Sequence, residues 1–445
     1  MNMKRIGERF RAAVLLGAVA SVLVFAAGAR AQDAKDSDDK TWPYGATTGR
    51  SPVLAVVGDI ACQPDADFVT GGGEAAHETC ETPKAPYAST SSTPPGPPFS
   101  LYQSQEATAN QIEKMKPDAV AITGDLQYQV GQYQDFEKSF DLTYGAFKFL
   151  HRPSPGNHEF YDEHSETGVA GYGYFSYYNG FQLNADGTIP TTTISDPCPP
   201  ALTAACNYPG KTTPVAQPIP RADGQAGHFE LGPNGGQNGT GVGDGWYSYN
   251  LGSWHLISLN IECSTQPGGC SDTGAWFGAE LKWLKKDLEE NHSACTAAYW
   301  HQPSYSAADS LTPEGTAALA FWRLLYEYNA DLVLNGHDHL YARYRPLDPS
   351  GNYDPHKGIR EIIVGTGGET LDAVVSSTAA GSDSGAIFNA ANLEAATGDY
   401  WGVMALTLDP NGYKWDFESA LELPGAPAGT YSDKSAGSCH GPVDR

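Results

Sequence analysis

Two short apolar runs in the first third of the chain end in the same dipeptide. Val53-Leu-Ala-Val-Val57 leads into Gly58-Asp59, and Ala119-Val-Ala-Ile-Thr123 leads into Gly124-Asp125. Each run is short and continuous, the pattern of a strand covered on both faces. Between them, Gln105 to Lys116 places Ala109, Ile112 and Met115 on one helical face and stops at Pro117. Strand, helix, strand in that order is a βαβ unit, whose strands run parallel. The repeated Gly-Asp then sets two carboxylates on one sheet edge, the C-terminal edge where α/β sheets build their sites.

Further along, other segments end in the same way. A helix is predicted over 133–150, with Phe136, Phe140, Tyr144 and Phe147 on one side, and it leads to Gly156-Asn157-His158-Glu159. Strands are predicted over 246–251 and 255–261, a helix over 276–290, and a strand over 297–300 with His301 at its tip. A helix over 313–329 precedes the apolar run that stops at Asn335-Gly336-His337-Asp338-His339. A strand over 359–364 and a hairpin across Asp409-Pro-Asn-Gly412 close the pattern. The class is α/β. Length alone suggests two or three domains, yet the polar strand tips run from residue 59 to residue 339 without a linker. A single domain over 51–445 is the expectation. Residues 160–245 are glycine-rich and aperiodic and read as a long insertion beside the cleft.

The N-terminus places Lys4, Arg5, Arg9 and Arg11 ahead of an apolar run from Ala12 to Gly28, followed by Ala29-Arg30-Ala31. This is the pattern of a secretory signal peptide over 1–31, with a polar leader over 32–50. An uncleaved anchor is the competing reading; with cleavage, no membrane association remains. Eight cysteines without a CxxC pair fit an exported, disulfide-bonded chain. Sequence proximity suggests the pairs 62–80, 198–206, 263–270 and 295–439. The net charge is −25, and removing five basic residues and one acidic residue with the signal leaves about −29. So acidic a surface repels nucleic acid and anionic membranes. An anionic substrate would need a local reversal of sign, which bound cations supply.

Taken singly, the polar tips are ordinary. A strand-end aspartate caps a turn, Tyr128 is core, and His301 is a satisfied buried histidine. Together, Asp59, Asp125, Tyr128, Asn157, His301, His337 and His339 form a set of oxygen and nitrogen donors suited to iron, manganese or zinc. Asp125, central in order, is the natural bridge between two ions, and two ions about 3.5–4 Å apart can hold a phosphoryl group and activate water.

In this order, Gly58-Asp59, Gly124-Asp-Leu-Gln-Tyr128, Gly156-Asn-His-Glu159, Tyr299-Trp-His301 and Gly336-His-Asp-His339 resemble the five blocks of calcineurin-like metallophosphoesterases. The purple acid phosphatase branch is the nearer likeness. Its mark is Tyr128 three residues after Asp125, with Asp59-Ile-Ala61 lacking the histidine of the wider superfamily. The resemblance covers roughly residues 50–410. It implies a sandwich of two mixed β-sheets flanked by helices. It also implies one metal, Fe(III), at Asp59, Asp125, Tyr128 and His339, and a second, Fe, Mn or Zn, at Asp125, Asn157, His301 and His337. His158 would face the phosphate, stabilising the transition state or protonating the leaving oxygen, while a metal-bound hydroxide attacks in line without a phospho-enzyme.

Three departures stand out. Ala61 replaces a glycine, and Gln302 replaces the second histidine of many bacterial relatives. The roughly twenty residues before the first strand are too few for the N-terminal β-sandwich of the large plant enzymes, so a bacterial-style form is expected. Arg343 reads as an ion-pair residue rather than a phosphate contact, Asp338 as a carboxylate orienting a turn or a histidine, and His255 as core. The expectation is a secreted or periplasmic phosphatase acting on small phosphate monoesters. A phosphodiesterase or nucleotide hydrolase with the same metals is the alternative, and a metal-binding protein without activity the rival of another class.

Overall fold

The computed structural model describes residues 49–64, 80, 100–161, 169–194, 215–230, 242–264, 266–308, 312–374, 390–422 and 429–442. The expected signal peptide, nearly all of the polar leader, and the Cys198–Cys206 pair lie outside the described residues.

The strands follow in chain order. The first are β1 (Val53–Val57), β2 (Ala119–Thr123) and β3 (His151–Ser154). Four short ones come next: β4 (Thr191–Ile194), β5 (Val215–Pro218), β6 (Phe229–Glu230) and β7 (Val242–Gly243). Then come β8 (Tyr247–Leu251), β9 (Trp254–Ser258), β10 (Cys295–Tyr299), β11 (Leu332–Asn335), β12 (Tyr341–Tyr344) and β13 (Arg360–Val364). The last are β14 (Leu393–Thr397), β15 (Tyr400–Asp409), β16 (Gly412–Glu422) and β17 (Ser432–Ser438).

One sheet has the order β17-β16-β15-β1-β2-β3, with β1, β2 and β3 parallel and β15 antiparallel to β1. The other has the order β14-β12-β13-β11-β10-β9-β8, in which β9, β10, β11 and β13 are parallel. Both sheets are therefore mixed. Side chains alternate across each strand, and here both faces are covered. Leu54 and Val56 of β1 pack with Leu256, Ala297, Leu334 and Ile362 of the opposite sheet. Ala55 and Val57 point the other way, into a cluster with Ile112 and the rings of Phe136, Phe140 and Tyr144. Ile257, Ala298, Val333 and Ile363 meet Leu284, Phe321 and Leu325 on the far side. The layers are helix, sheet, sheet, helix, the sandwich expected from the resemblance. Each fully buried Val, Leu or Ile contributes about 1.5–3 kcal/mol.

The helix after β1 spans Leu101–Met115, beginning four residues before the predicted start. The helix predicted over 133–150 is present but irregular: α at Tyr133–Asp135, π at Phe136–Phe140, α at Asp141–Thr143 and 3-10 at Gly145–Leu150, with non-helical backbone at Phe147. One cause is visible. The Phe140 N–H donates to the Gln127 side chain at 3.2 Å, an outside partner for a helical amide. The helix predicted over 313–329 divides into Pro313–Ala317 and Leu319–Glu327. Its start follows the rule, with Pro313 at the first position and the Thr312 hydroxyl accepting from the Gly315 N–H at 3.1 Å. The strand predicted over 255–261 stops at Ser258.

The region 160–245, expected as an aperiodic insertion, holds regular elements among its described residues. It contains a helix, Tyr172–Asn179, and two small antiparallel ladders, β4 with β5 and β6 with β7. All eight residues of that helix are buried, so it has no polar face and shows no 3.6-residue period. The disulfides Cys62–Cys80, Cys263–Cys270 and Cys295–Cys439 are present, the last tying the tail beyond β17 to the start of β10.

Candidate metal centre

The parallel strands of both sheets end on one side of the molecule, and the predicted residues follow those ends. Asp59 follows β1, Asp125 and Tyr128 follow β2, and Asn157 and His158 follow β3. His301 follows β10, while His337 and His339 follow β11. The two edges are joined directly: the Gly58 N–H donates to the Val364 carbonyl at 2.9 Å, and the Gly367 N–H to the Gly58 carbonyl at 2.9 Å.

Asp59, Asp125 and His337 have φ of 59°, 47° and 70°. Non-glycine residues rarely adopt this left-handed region, and such strain gathers at functional sites. Two glycines leave room for the two carboxylates. A Cβ on Gly156 would lie 2.2 Å from Asp125 Oδ1, and one on Gly336 would lie 2.5 Å from Asp59 Oδ2.

The seven donors meet in two groups. In the first, Tyr128 Oη lies 3.2 Å from Asp59 Oδ1, 3.2 Å from Asp125 Oδ2 and 3.0 Å from His339 Nε2. His339 Nε2 is 3.4 Å from Asp59 Oδ1. In the second, His301 Nε2 lies 2.9 Å from Asp125 Oδ2, and His337 Nδ1 lies 3.3 Å from His301 Nε2 and 3.2 Å from Asn157 Oδ1. Asp125 Oδ2 belongs to both. Donors bound at about 2.0–2.2 Å to one ion stand roughly 3.0–3.5 Å apart around it, so this spacing fits cations.

The chemistry of the donors fits as well. His301 Nδ1 is 2.8 Å from the Thr123 carbonyl, and His339 Nδ1 is 2.7 Å from the Thr370 carbonyl. A carbonyl only accepts, so each Nδ1 carries hydrogen, and each Nε2, facing the carboxylates, is the nitrogen left to take a proton or a metal ion. Lone pairs facing carboxylates call for positive charge between them. Although burial opposes its charge, the Asp125 carboxylate pushes His301 up to about 10. His339 rises well above its ordinary value, against burial, through its hydrogen bond to Asp59. The field that draws a proton there draws a metal cation. Burial and the neighbouring His301 push His337 down to about 3, leaving its ring neutral.

His158 is placed otherwise. Its backbone N–H donates to Asp125 Oδ1 at 2.9 Å, while its ring Nδ1 is 2.6 Å from the Gln129 carbonyl. Its ring packs 4.2 Å from Tyr128 and 5.0 Å from Tyr161, centroid to centroid. Nε2 remains 3.8 Å from Asp125 Oδ2, beside the donor groups. Burial lowers its pKa, with Asp125 opposing.

The lesser residues fall as expected. Arg343 is held by Glu394 and, at 2.7 Å, by Asp433. Asp338 accepts from Ser306 Oγ at 2.7 Å and the Ala307 N–H at 2.9 Å, so it orients a turn. His255 is buried against Asp287 at 2.6 Å. Gln302 Nε2 lies 3.4 Å from Asn157 Oδ1.

Sequence reasoning missed two supports. The Glu159 carboxylate accepts from the N–H groups of Leu126, Gln127 and Gly156 at 2.8, 3.1 and 2.8 Å, tying the turn after β2 to the turn after β3. Asp372 accepts from the His339 N–H at 2.9 Å. The signal for Glu159 was its place two residues after Asn157; Asp372 carried none.

The family described as calcineurin-like phosphoesterase matches residues 53–341 of this chain. Purple acid phosphatase 15 of Arabidopsis thaliana is 31% identical over 28% of this chain and 22% of that protein. Human acid phosphatase type 7 is 30% identical over 26% of this chain and 29% of that protein. The matched stretch thus spans under a third of either relative. The structure of a purple acid phosphatase from yellow lupin seeds matches with a TM-score of 0.45 and 15% identity, over 86% of this chain and 53% of that one. The family match alone covers well over half of the chain, and it spans every block of the site: the chain belongs to the calcineurin-like phosphoesterase family.

Proposed function

We propose that this protein is a metal-dependent phosphoesterase that hydrolyses small phosphate monoesters at a binuclear site, within one catalytic domain over 51–445. The observation that carries the reading is the sharing of Asp125 Oδ2 by two donor groups spaced 2.9–3.4 Å. Asp59, Asp125, Tyr128 and His339 would hold one cation, ferric iron given the phenol. Asp125, Asn157, His301 and His337 would hold the other, iron, manganese or zinc. When bound, two such ions lower the pKa of water towards neutrality and neutralise phosphoryl oxygens.

The chain's own residues do the rest. Thr123 and Thr370 fix the histidine tautomers through their carbonyls. Asn157 Nδ2 donates to Tyr161 Oη at 3.2 Å, which keeps Oδ1 turned inward. His158, held by Gln129, presents Nε2 to the cleft as proton donor to the leaving oxygen. Because burial lowers its pKa, its acid form prevails only on the acidic side, and turnover should fall as pH rises through that value. The three disulfides among the described residues support an oxidising, extracytoplasmic setting. No helix among the described residues is long and apolar enough to cross a membrane.

The test is purified protein, reconstituted with iron, manganese or zinc, assayed on p-nitrophenyl phosphate and bis(p-nitrophenyl) phosphate. Faster turnover of the first supports the monoester reading. Faster turnover of the second makes the protein a diesterase, and hydrolysis of neither defeats the catalytic claim.

A further inference from the structure

Residues outside the donor set bear on His158. Its Nδ1–H donates to the Gln129 carbonyl at 2.6 Å, and the Gln129 backbone N–H donates to Gln63 Oε1 at 2.6 Å. Gln63 Nε2 in turn donates to Asp135 Oδ2 at 3.0 Å. Gln63 and Asp135 are buried, at 2% and 5% exposure. We propose that Gln63, oriented by Asp135, is a positioning residue for the proton donor His158. The proposal rests on the reading of His158 given above.

The orientation follows from what each group can do. A carboxylate only accepts, so Asp135 forces the amide nitrogen of Gln63 towards itself and leaves Oε1 for the Gln129 N–H. The Gln63 main chain is fixed as well. Its neighbour Cys62 is bonded to Cys80, whose N–H donates to the Gln63 carbonyl at 2.8 Å. Gln129 is thus gripped at its N–H, while its carbonyl grips the imidazole. These two groups lie in successive peptide planes, so the chain sets position rather than conducting charge. Tyr128 and Tyr161, ring against ring with His158, restrict its tilt. The carbonyl of Gln129 sets its rotation, and with it the aim of Nε2.

A misaimed proton donor has a particular signature. Leaving groups that need a proton, alkoxides and phenolates of high pKa, slow down, whereas nitrophenolate barely changes. The experiment measures kcat across aryl phosphates of rising phenol pKa, together with metal content, for wild type, Gln63→Met, Asp135→Leu, Asp135→Asn and His158→Ala. Gln63→Met and Asp135→Leu should retain their metals and steepen the leaving-group dependence. For the poorest leaving group the loss should be roughly tenfold to a hundredfold, part of the worth of a general acid. Asp135→Asn, whose amide oxygen still accepts from Gln63, should stay near wild type. A wild-type slope in Gln63→Met beside a steep one in His158→Ala overturns the inference alone. A wild-type slope in His158→Ala overturns the reading of His158, and the inference with it. If Gln63→Met does not fold, the contrast between Asp135→Leu and Asp135→Asn decides: equal slopes overturn the inference, and a steeper slope in Asp135→Leu supports it.

Discussion

Gly156→Ala isolates the steric demand of the centre. The backbone at Gly156 is extended, with φ −117° and ψ −173°, which alanine adopts without strain. The added methyl, however, would lie 2.2 Å from Asp125 Oδ1 and 2.5 Å from the Asp125 nitrogen, where ordinary contact begins at 3.4 Å. Either the shared carboxylate or the turn bearing Asn157 and His158 must give way by about 1 Å. Overpacking of this kind costs about 1–3 kcal/mol, and a 1 Å displacement of reacting groups costs about 100-fold in rate. The expected variant folds with a lowered melting temperature, binds metal more weakly and loses about two orders of magnitude in kcat on p-nitrophenyl phosphate. Gly187→Ala is the control. Its φ is +81° with nothing within 4 Å of the added carbon, so it should lose about 1–2 kcal/mol from backbone strain and keep its turnover. Wild-type metal content and rate in Gly156→Ala would refute the placement of Asp125 beneath that glycine.

Other predictions address the frame. Arg343→Met should cost about 1–3 kcal/mol in denaturant unfolding, discounted for partial exposure, and leave KM unchanged, since Glu394 and Asp433 engage the guanidinium. Replacing both Cys295 and Cys439 by serine opens a sequence separation of 144 residues and should lower stability by about 4–5 kcal/mol on the loop-entropy account. His151 is fully buried and its pKa is pushed well down by burial. The unfolded chain therefore binds a proton below about pH 6.5 that the folded one refuses, so stability is lost as pH falls. Relative to His151→Gln, wild type should lose up to about 1.4 kcal/mol per pH unit below that point, read from unfolding curves at a series of pH values.

The meeting of these seven side chains was legible because they stand at or just beyond strand ends, where a stop in apolar pattern coincides with glycine and a ligand-type side chain. Gly58-Asp59 and Gly336-His337 show this most plainly. What was not legible depends on partners distant in sequence. Gln127 reaches the Phe140 amide, inside a π turn of a helix that the spacing of Phe136, Phe140 and Tyr144 predicts as regular. The Tyr172–Asn179 helix is buried on all sides, which erases the periodicity by which helices are read. Gln63 looks like any loop residue after a cysteine; only the fold brings Gln129 and Asp135 to its two ends.

The claim most open to direct test is that Asp125 belongs to two cations at once. Elemental analysis of the protein and of Asp125→Ala, each after equilibration with metal and removal of excess, measures it. Two ions per wild-type chain, with binding at both positions impaired in the variant, is the predicted result. A single ion in wild type, or a variant that loses one ion and holds the other unweakened, would contradict a shared carboxylate.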